Sequence, residues 1–325
     1  MARTLAAAAT AALVATATAL PAQSKREREQ MQRIVFRAFP EADAYRCIER
    51  DVGLEARARI ERLLPFKVHF DELGEHTLLV AFRGRRPVGL VYRRTEEADW
   101  GLTEVAWHVT LDRRIVGFRY LRGRNRNIKS LERGRFADDL TSADFQDLVK
   151  LLARHRGEPR KADLGALERT TLRSAAKTLA VLDTVWRDDI EKLHDRATGF
   201  DLFPAAARFT SRTAPVELDR GGVHQTLQTR VLYAYDSGNT FLGCVAWTEG
   251  TRDIERHALR WALDRNLRIQ SLRPVREHRD VALRKACNQL QGRPLSEPCA
   301  ESALAPLSRS LGSALPELQR RRARR

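Results

Sequence analysis

Apolar positions recur along this chain with two periods. Met31, Ile34 and Val35 share one face of a 3.6-residue repeat, which predicts a helix over 24–38 that Ala38-Phe39-Pro40 ends. Gly53 to Leu64 predicts a second helix, stopped before Pro65. The period then shortens to two. Short β-type runs follow at Lys67–Phe70, Thr77–Phe82, Val88–Tyr92, Glu104–Leu111 and Ile115–Leu121. In the last of these Val116, Phe118 and Tyr120 share a face and Arg119 points the other way. Gly84 with Pro87, and Asp112-Arg113-Arg114, mark turns too short for crossovers, so the runs predict an antiparallel sheet. Two helices follow, Ser142–Arg154 and about Leu164–Trp186. The second places Leu172, Ala175, Ala176, Leu179, Leu182 and Trp186 on one stripe that packs on the sheet.

The second half repeats the pattern. Thr77-Leu-Leu-Val-Ala81-Phe82 and Val88-Gly89-Leu90-Val91 match Arg230-Val-Leu-Tyr-Ala234-Tyr235 and Leu242-Gly243-Cys244-Val245. Leu111-Asp112-Arg113 matches Leu263-Asp264-Arg265; each follows a tryptophan, Trp107 or Trp261, at different spacing. Residues 197–204 read as the junction. The expected fold class is α+β: two tandem antiparallel-sheet domains, each flanked by helices, over 23–195 and 196–319.

Both ends of the chain stand apart. Leu5 to Leu20 is Ala-rich and uncharged, Arg3 precedes it, and Ala17-Thr18-Ala19 or Leu20-Pro21-Ala22 fits a cleavage site before the polar run that starts at Gln23. Residues 1–22 therefore read as a signal peptide and predict a periplasmic or secreted protein; the competing reading is an Ala-rich helix of a cytosolic one. No later window is apolar for eighteen residues. Lys and Arg number 58 against 42 Asp and Glu, for a net charge of +16. Five of the last six residues are Arg, so 320–325 reads as a disordered basic tail that binds anionic surfaces weakly. Export argues against nucleic acid as the reason for the charge.

Candidate chemistry is sparse. Phosphate-cradling Gly-rich loops, His-Glu-x-x-His and Gly-x-Ser-x-Gly are not present. The eight His are scattered without ligand spacing, so no metal site is expected. Asp138-Asp139 and Asp188-Asp189 read as solvated or helix-capping charges rather than an acid–base pair. The four Cys form no Cys-x-x-Cys pair; in an oxidising compartment Cys287 and Cys299 could close a short loop, the alternative being buried thiols. Arg122-Gly-Arg124-Asn-Arg126 is a dense basic loop, either a phosphate site or a solvated turn.

Several of these segments, in order, carry a resemblance. Ala38-Phe39-Pro40-Glu-Ala-Asp43, the helix from Gly53, Val88-Gly-Leu-Val-Tyr92, Trp100-Gly-Leu-Thr-Glu-Val-Ala-Trp-His-Val-Thr-Leu-Asp112 and Ile115-Val-Gly-Phe-Arg-Tyr-Leu121 resemble bacterial FMN-binding domain proteins. Those are relatives of the flavin-carrying subunits of the Rnf complex and the sodium-pumping NADH:quinone reductase. The resemblance covers residues 30–190, with 225–318 as a shorter copy. It implies a flavin phosphate esterified to a Thr at a helix start, a role that falls on Thr171, with Ser174 following in the same helix. The family signature around that Thr is replaced by Gly165, Glu168, Arg169 and Thr170. Two functions follow as expectations. One is an electron-transfer module that serves a membrane redox complex or another periplasmic protein. It would hold FMN noncovalently at Arg122, Arg124 or Arg126, near the start of the Thr171 helix. The other is a cofactor-free structural or partner-binding module on the same fold.

Overall fold

A computed structural model of the chain describes residues 25–68, 72–98, 101–154, 162–220, 223–249, 259–274, 281–297, 304, 307–312 and 315. The signal-peptide segment 1–22, the basic tail 320–325 and Cys299 lie outside the described residues. The first half runs α1 (Lys25–Ala38), β1 (Ala44–Val52), α2 (Leu54–Leu63), β2 (Gly74–Arg83), β3 (Arg86–Ala98), β4 (Gly101–Val109) and β5 (Ile115–Arg122). It continues as α3 (Ile128–Arg133), α4 (Arg135–Leu140), α5 (Phe145–Arg154) and α6 (Ala162–Val185). The long helix α7 (Arg187–Leu202) leads to β6 (Arg208–Arg220), β7 (Val223–Tyr235), β8 (Phe241–Glu249), β9 (Leu259–Asp264), β10 (Ile269–Pro274) and α8 (Val281–Leu290). Strands β1–β5 form one antiparallel sheet and β6–β10 another, each in simple sequential order. The α+β class expected from the sequence is the one observed.

Alternation along each strand divides the side chains between two faces. On the inner face of the first sheet Leu78, Leu90, Tyr92, Trp107 and Ile115 pack against Ile60 of α2, Leu148 of α5 and the α6 stripe Leu172, Leu179 and Leu182. On the outer face Leu79, Ala81, Val91 and Ala106 lie under Ile34 and Val35 of α1 and under Phe39. The second sheet has the same two layers. Trp261, Leu263 and Ile269 pack with Leu283, Leu290 and Leu311 on one side. On the other, Phe203 at the end of α7 covers Leu232, Ala234 and Val245.

The expected repeat has a detailed geometric counterpart. Each copy opens on a helix that ends in Phe-Pro, and the Ala42 and Ala206 N–H groups donate back to the Phe39 and Phe203 carbonyls at 3.0 and 2.9 Å. Each phenyl ring sits on a glycine. A Cβ on Gly89 would meet the Phe39 ring at 2.1 Å, and one on Gly243 would meet the Phe203 ring at 2.6 Å. A β-bulge follows at the same place in both sheets, after Ala81 and after Ala234. Leu90 pairs with Val109 and Cys244 with Leu263, so Trp107 and Trp261 are equivalent. This corrects the expected alignment of Leu111-Asp112-Arg113 with Leu263-Asp264-Arg265, which is two residues out of register. The turn residues that correspond are Arg113 and Leu267, both left-handed at φ 58° and 57°.

Three further expectations change. Residues 67 and 68 are not in a strand, and 69–70 lie outside the described residues. Strands β1 and β6 come in addition to those expected. The junction expected at 195/196 falls inside α7, not in a linker. Ile190 of that helix belongs to the first core, and its C-terminal end carries Phe203 into the second. The β2–β3 turn is tied to the end of the same helix, where Arg86 grips Asp201 with two hydrogen bonds at 2.7 and 3.0 Å.

Candidate functional site

Helix α6 crosses the inner face of the first sheet obliquely, and its polar side chains are taken up by successive strands. The Thr171 hydroxyl donates to the Leu167 carbonyl at 2.7 Å and meets the Tyr120 hydroxyl of β5. One turn on, the Ser174 hydroxyl accepts from Trp107 Nε1 of β4 at 2.9 Å. One further turn on, Lys177 Nζ donates to Glu96 of β3 at 2.7 Å. Thr171 is 1 % exposed and Ser174 0 %. Neither stands at a helix start: α6 begins at Ala162, nine residues before Thr171, so the Thr171 N–H is within the helical ladder and not among its free first-turn donors. The position at which the resemblance places the family's attachment Thr is thus inside a helix and enclosed, not at a helix start.

The basic loop lies elsewhere. Arg122 closes β5, and Arg124 and Arg126 follow before α3; all three are exposed, and among the described residues the side chains of Arg122 and Arg124 make no hydrogen bond or ion pair. A Cβ on Gly123 would come within 2.5 Å of Ile128 Cδ1 and 3.4 Å of Thr103 Cγ2, which fixes the loop against the β3–β4 end. As one combined site for esterified FMN these residues do not fit: the two hydroxyls face the core, the guanidinium groups face outward, and no contact joins the two sets among the described residues.

The most unusual chemistry of the inner face was not anticipated. Tyr92, Arg94 and Glu96 alternate inward along β3, and the last two are charged. Arg94 Nε donates to Glu96 at 3.0 Å, Arg94 Nη2 pairs with Glu72, and Lys177 lies 3.2 Å from Glu72 and 2.7 Å from Glu96. Arg94, Glu72 and Glu96 are all buried. His76 holds the rim: its Nε2 meets the Glu72 carbonyl at 3.1 Å and its Nδ1 meets the Tyr92 hydroxyl. Burial pushes the Tyr92 hydroxyl up to about 12 and His76 down. Burial would also raise Glu72, but Arg94, then Lys177, outweighs it and holds this carboxyl at about 2. The quartet is thus one guanidinium, one ammonium and two carboxylates that neutralise one another out of water. A carboxyl depressed on folding stabilises the fold above its ordinary titration near 4.5, and that contribution is lost as pH falls from there through about 2. We expect urea unfolding to show roughly 3 kcal/mol lost over this window beyond the general acid effect. Glu72→Gln should flatten that slope; an unchanged slope would show that the carboxyl is not held by its partners.

Two surface clefts flank this core. The larger, about 330 Å³, lies where α6 meets α7 beside β1 and is lined by Arg50, Arg59, Asp183, Arg187 and Asp189 among others. Most of its charge is internally paired, Arg50 with Asp189 and Arg113 with Asp183, both at 3.0 Å, and Arg187 with Asp183. Asp188 and Asp189 occupy the first turn of α7, where the helix dipole favours carboxylates, and Asp138 and Asp139 are exposed on α4, both as expected. The smaller cleft, about 120 Å³, lies between α1 and strands β4 and β5, lined by Gln30, Arg33, Ile34, Arg37, His108, Arg119 and Leu121. Burial, and then Arg119, holds the His108 ring down at about 4, so it is neutral at physiological pH.

No protein-family model matches the chain, and no curated protein matches it. Among the described residues no group of three or more His, Cys, Asp and Glu is placed to hold a metal ion, and no helix is long and apolar enough to cross a membrane. Burial raises the Cys244 thiol to about 12 and the Cys287 thiol to about 11. The expected Cys287–Cys299 bridge involves a residue outside the described set.

Proposed function

We propose that this is an exported, cofactor-free binding module built twice on an α+β sheet-and-helix unit. The observation that carries the reading is the Thr171 hydroxyl, enclosed between Leu167 and Tyr120 where flavin attachment would need it open. Noncovalent FMN at Arg122, Arg124 or Arg126, passing electrons to a membrane redox complex, is the second reading. It is favoured by the unpaired Arg122 and Arg124 guanidinium groups.

One sample separates the readings. The full chain is produced in a bacterium with a flavin transferase present and examined by intact mass and visible absorbance. The expected species begins at Leu20 or Gln23, carries no added mass and is colourless; FMN titration gives no fluorescence quenching. A species heavier by one FMN that disappears in Thr171→Ala, or stoichiometric yellow protein, would overturn the cofactor-free reading. An intact Met1 would overturn export.

A further inference from the structure

We propose that the cleft between α1 and strands β4 and β5 binds a small oxyanion of the phosphate class, gripped by Arg33, Arg37 and Arg119. The inference deepens the binding-module reading and rests on it.

Arg33 and Arg37 lie four apart on α1, so their side chains emerge side by side on one face. Arg119 comes from β5, on the face opposite Phe118 and Tyr120, and so on the α1 side of the sheet. Among the described residues none of the three side chains makes a hydrogen bond or ion pair. No carboxylate lines the cleft. Several guanidinium groups elsewhere are matched, Arg86 with Asp201, Arg93 with Glu104, Arg94 with two glutamates and Arg230 with Asp195; Arg122 and Arg124 are not, but they sit on an open loop rather than in a recess. Three like charges converging on one recess repel, and a dianion relieves that repulsion while filling the guanidinium forks with charge-assisted hydrogen bonds.

Size narrows the ligand. A volume of about 120 Å³ holds roughly four waters at about 30 Å³ each, and lies well under the ~300 Å³ at which organic-ligand pockets begin. A tetrahedral oxyanion fits; a flavin or nucleotide base does not. His108 supplies an orienting group. The groups that face it are Arg119 and Gly117 from β5, Val91 from β3, the Phe39 ring at 6.5 Å, and Arg33 and Arg37 from α1 across the cleft. A Cβ on Gly117 would reach only to within 3.9 Å of Nδ1, so β5 leaves the ring edge open. A neutral imidazole offers one N–H to an oxyanion, and a bound anion favours its protonated form.

The test is NMR of full-length, histidine-labelled protein titrated with sodium phosphate against matched sodium chloride, with His108 assigned through loss of its signal in His108→Gln. We expect a saturable shift at His108 and a rise of its pKa by about 1 when phosphate is bound. Arg119→Gln, and separately Arg33→Gln with Arg37→Gln, should weaken phosphate binding about tenfold or more. All three arginines are exposed, so the circular dichroism spectrum and melting temperature of these variants should match the parent. A His108 response equal in phosphate and chloride overturns the site. So does Arg33-dependent binding of phosphatidate vesicles with no response to inorganic phosphate, which would make the cleft a lipid-headgroup contact. Silence at His108 leaves the cofactor-free reading standing, whereas FMN that displaces phosphate with quenched flavin fluorescence overturns that reading itself.

Discussion

Arg94→Met is expected to destabilise the first sheet domain by about 3–5 kcal/mol, because it removes one member of a buried charge network and leaves the others uncompensated. Glu72 and Glu96 would then share Lys177 alone, in a site where Arg94 is 6 % exposed and the glutamates 5 % and 7 %. At about 2–4 °C per kcal/mol for a domain of this size, the melting temperature should fall by roughly 10 °C. The counterpart experiment replaces all four residues together with Leu or Met. Apolar residues of similar volume carry no desolvation penalty, so that variant should recover most of the loss or exceed the parent. Calorimetry and urea titration read both. A loss below about 1 kcal/mol for Arg94→Met would mean that water reaches the network and replaces the missing charge.

The paired glycines give the second large effect, and the two copies should answer differently. In Gly89→Ala the three atoms nearest the new Cβ all belong to the Phe39 ring, at 2.1 to 2.8 Å. Adding Phe39→Ala removes the obstacle, so the double variant should cost clearly less than the sum of the singles, with a coupling above about 1 kcal/mol. In Gly243→Ala the Cβ meets the Phe203 ring and also comes within 2.3 Å of the Leu263 carbonyl oxygen, at a φ of 154° that side chains rarely adopt. That backbone contact remains when Phe203→Ala is added. Gly243→Ala should therefore cost more than about 3 kcal/mol with little rescue. Equal rescue in both cycles would show that the β8–β9 backbone yields as readily as a side chain.

The parts of the fold legible in the sequence are those where one periodicity dominates. Strands β2 to β5 hold short apolar runs bounded by turn residues, and every residue of the expected α6 stripe from Leu172 to Trp186 is buried. Strand β1 was missed because, as an edge strand, it keeps Arg46, Glu49 and Arg50 among its nine residues and reads as a polar connection. Helix α7 was missed because Thr198 and Gly199 look like a break. Gly199 is there because Phe209 and Leu232 press on it: a Cβ would lie 2.7 Å from one and 2.9 Å from the other. At the site, Thr171 was judged by its likeness to a motif. Its spacing, four after Leu167 and four before Ala175, already placed it on the buried face. The charge quartet had one readable signal, Arg94 and Glu96 continuing the inward alternation of Leu90 and Tyr92. Their partners Glu72 and Lys177 are 22 and 81 residues away from the nearer of the bonded pairs, a distance no local pattern spans.

Helix α7 also sets an order of assembly for a chain that emerges N-terminus first. Domains fold as units, and the N-terminal one is available first. Ile190 completes the first core, so that copy can finish folding before β6 has emerged. The far end of the same helix then holds out Leu202 and Phe203 bare, until β7 and β8 bring Leu232, Ala234 and Val245 against them. A finished domain thus holds out the first piece of the next, already helical and already aimed, and the second sheet is laid down on a nucleus that the first has prepared.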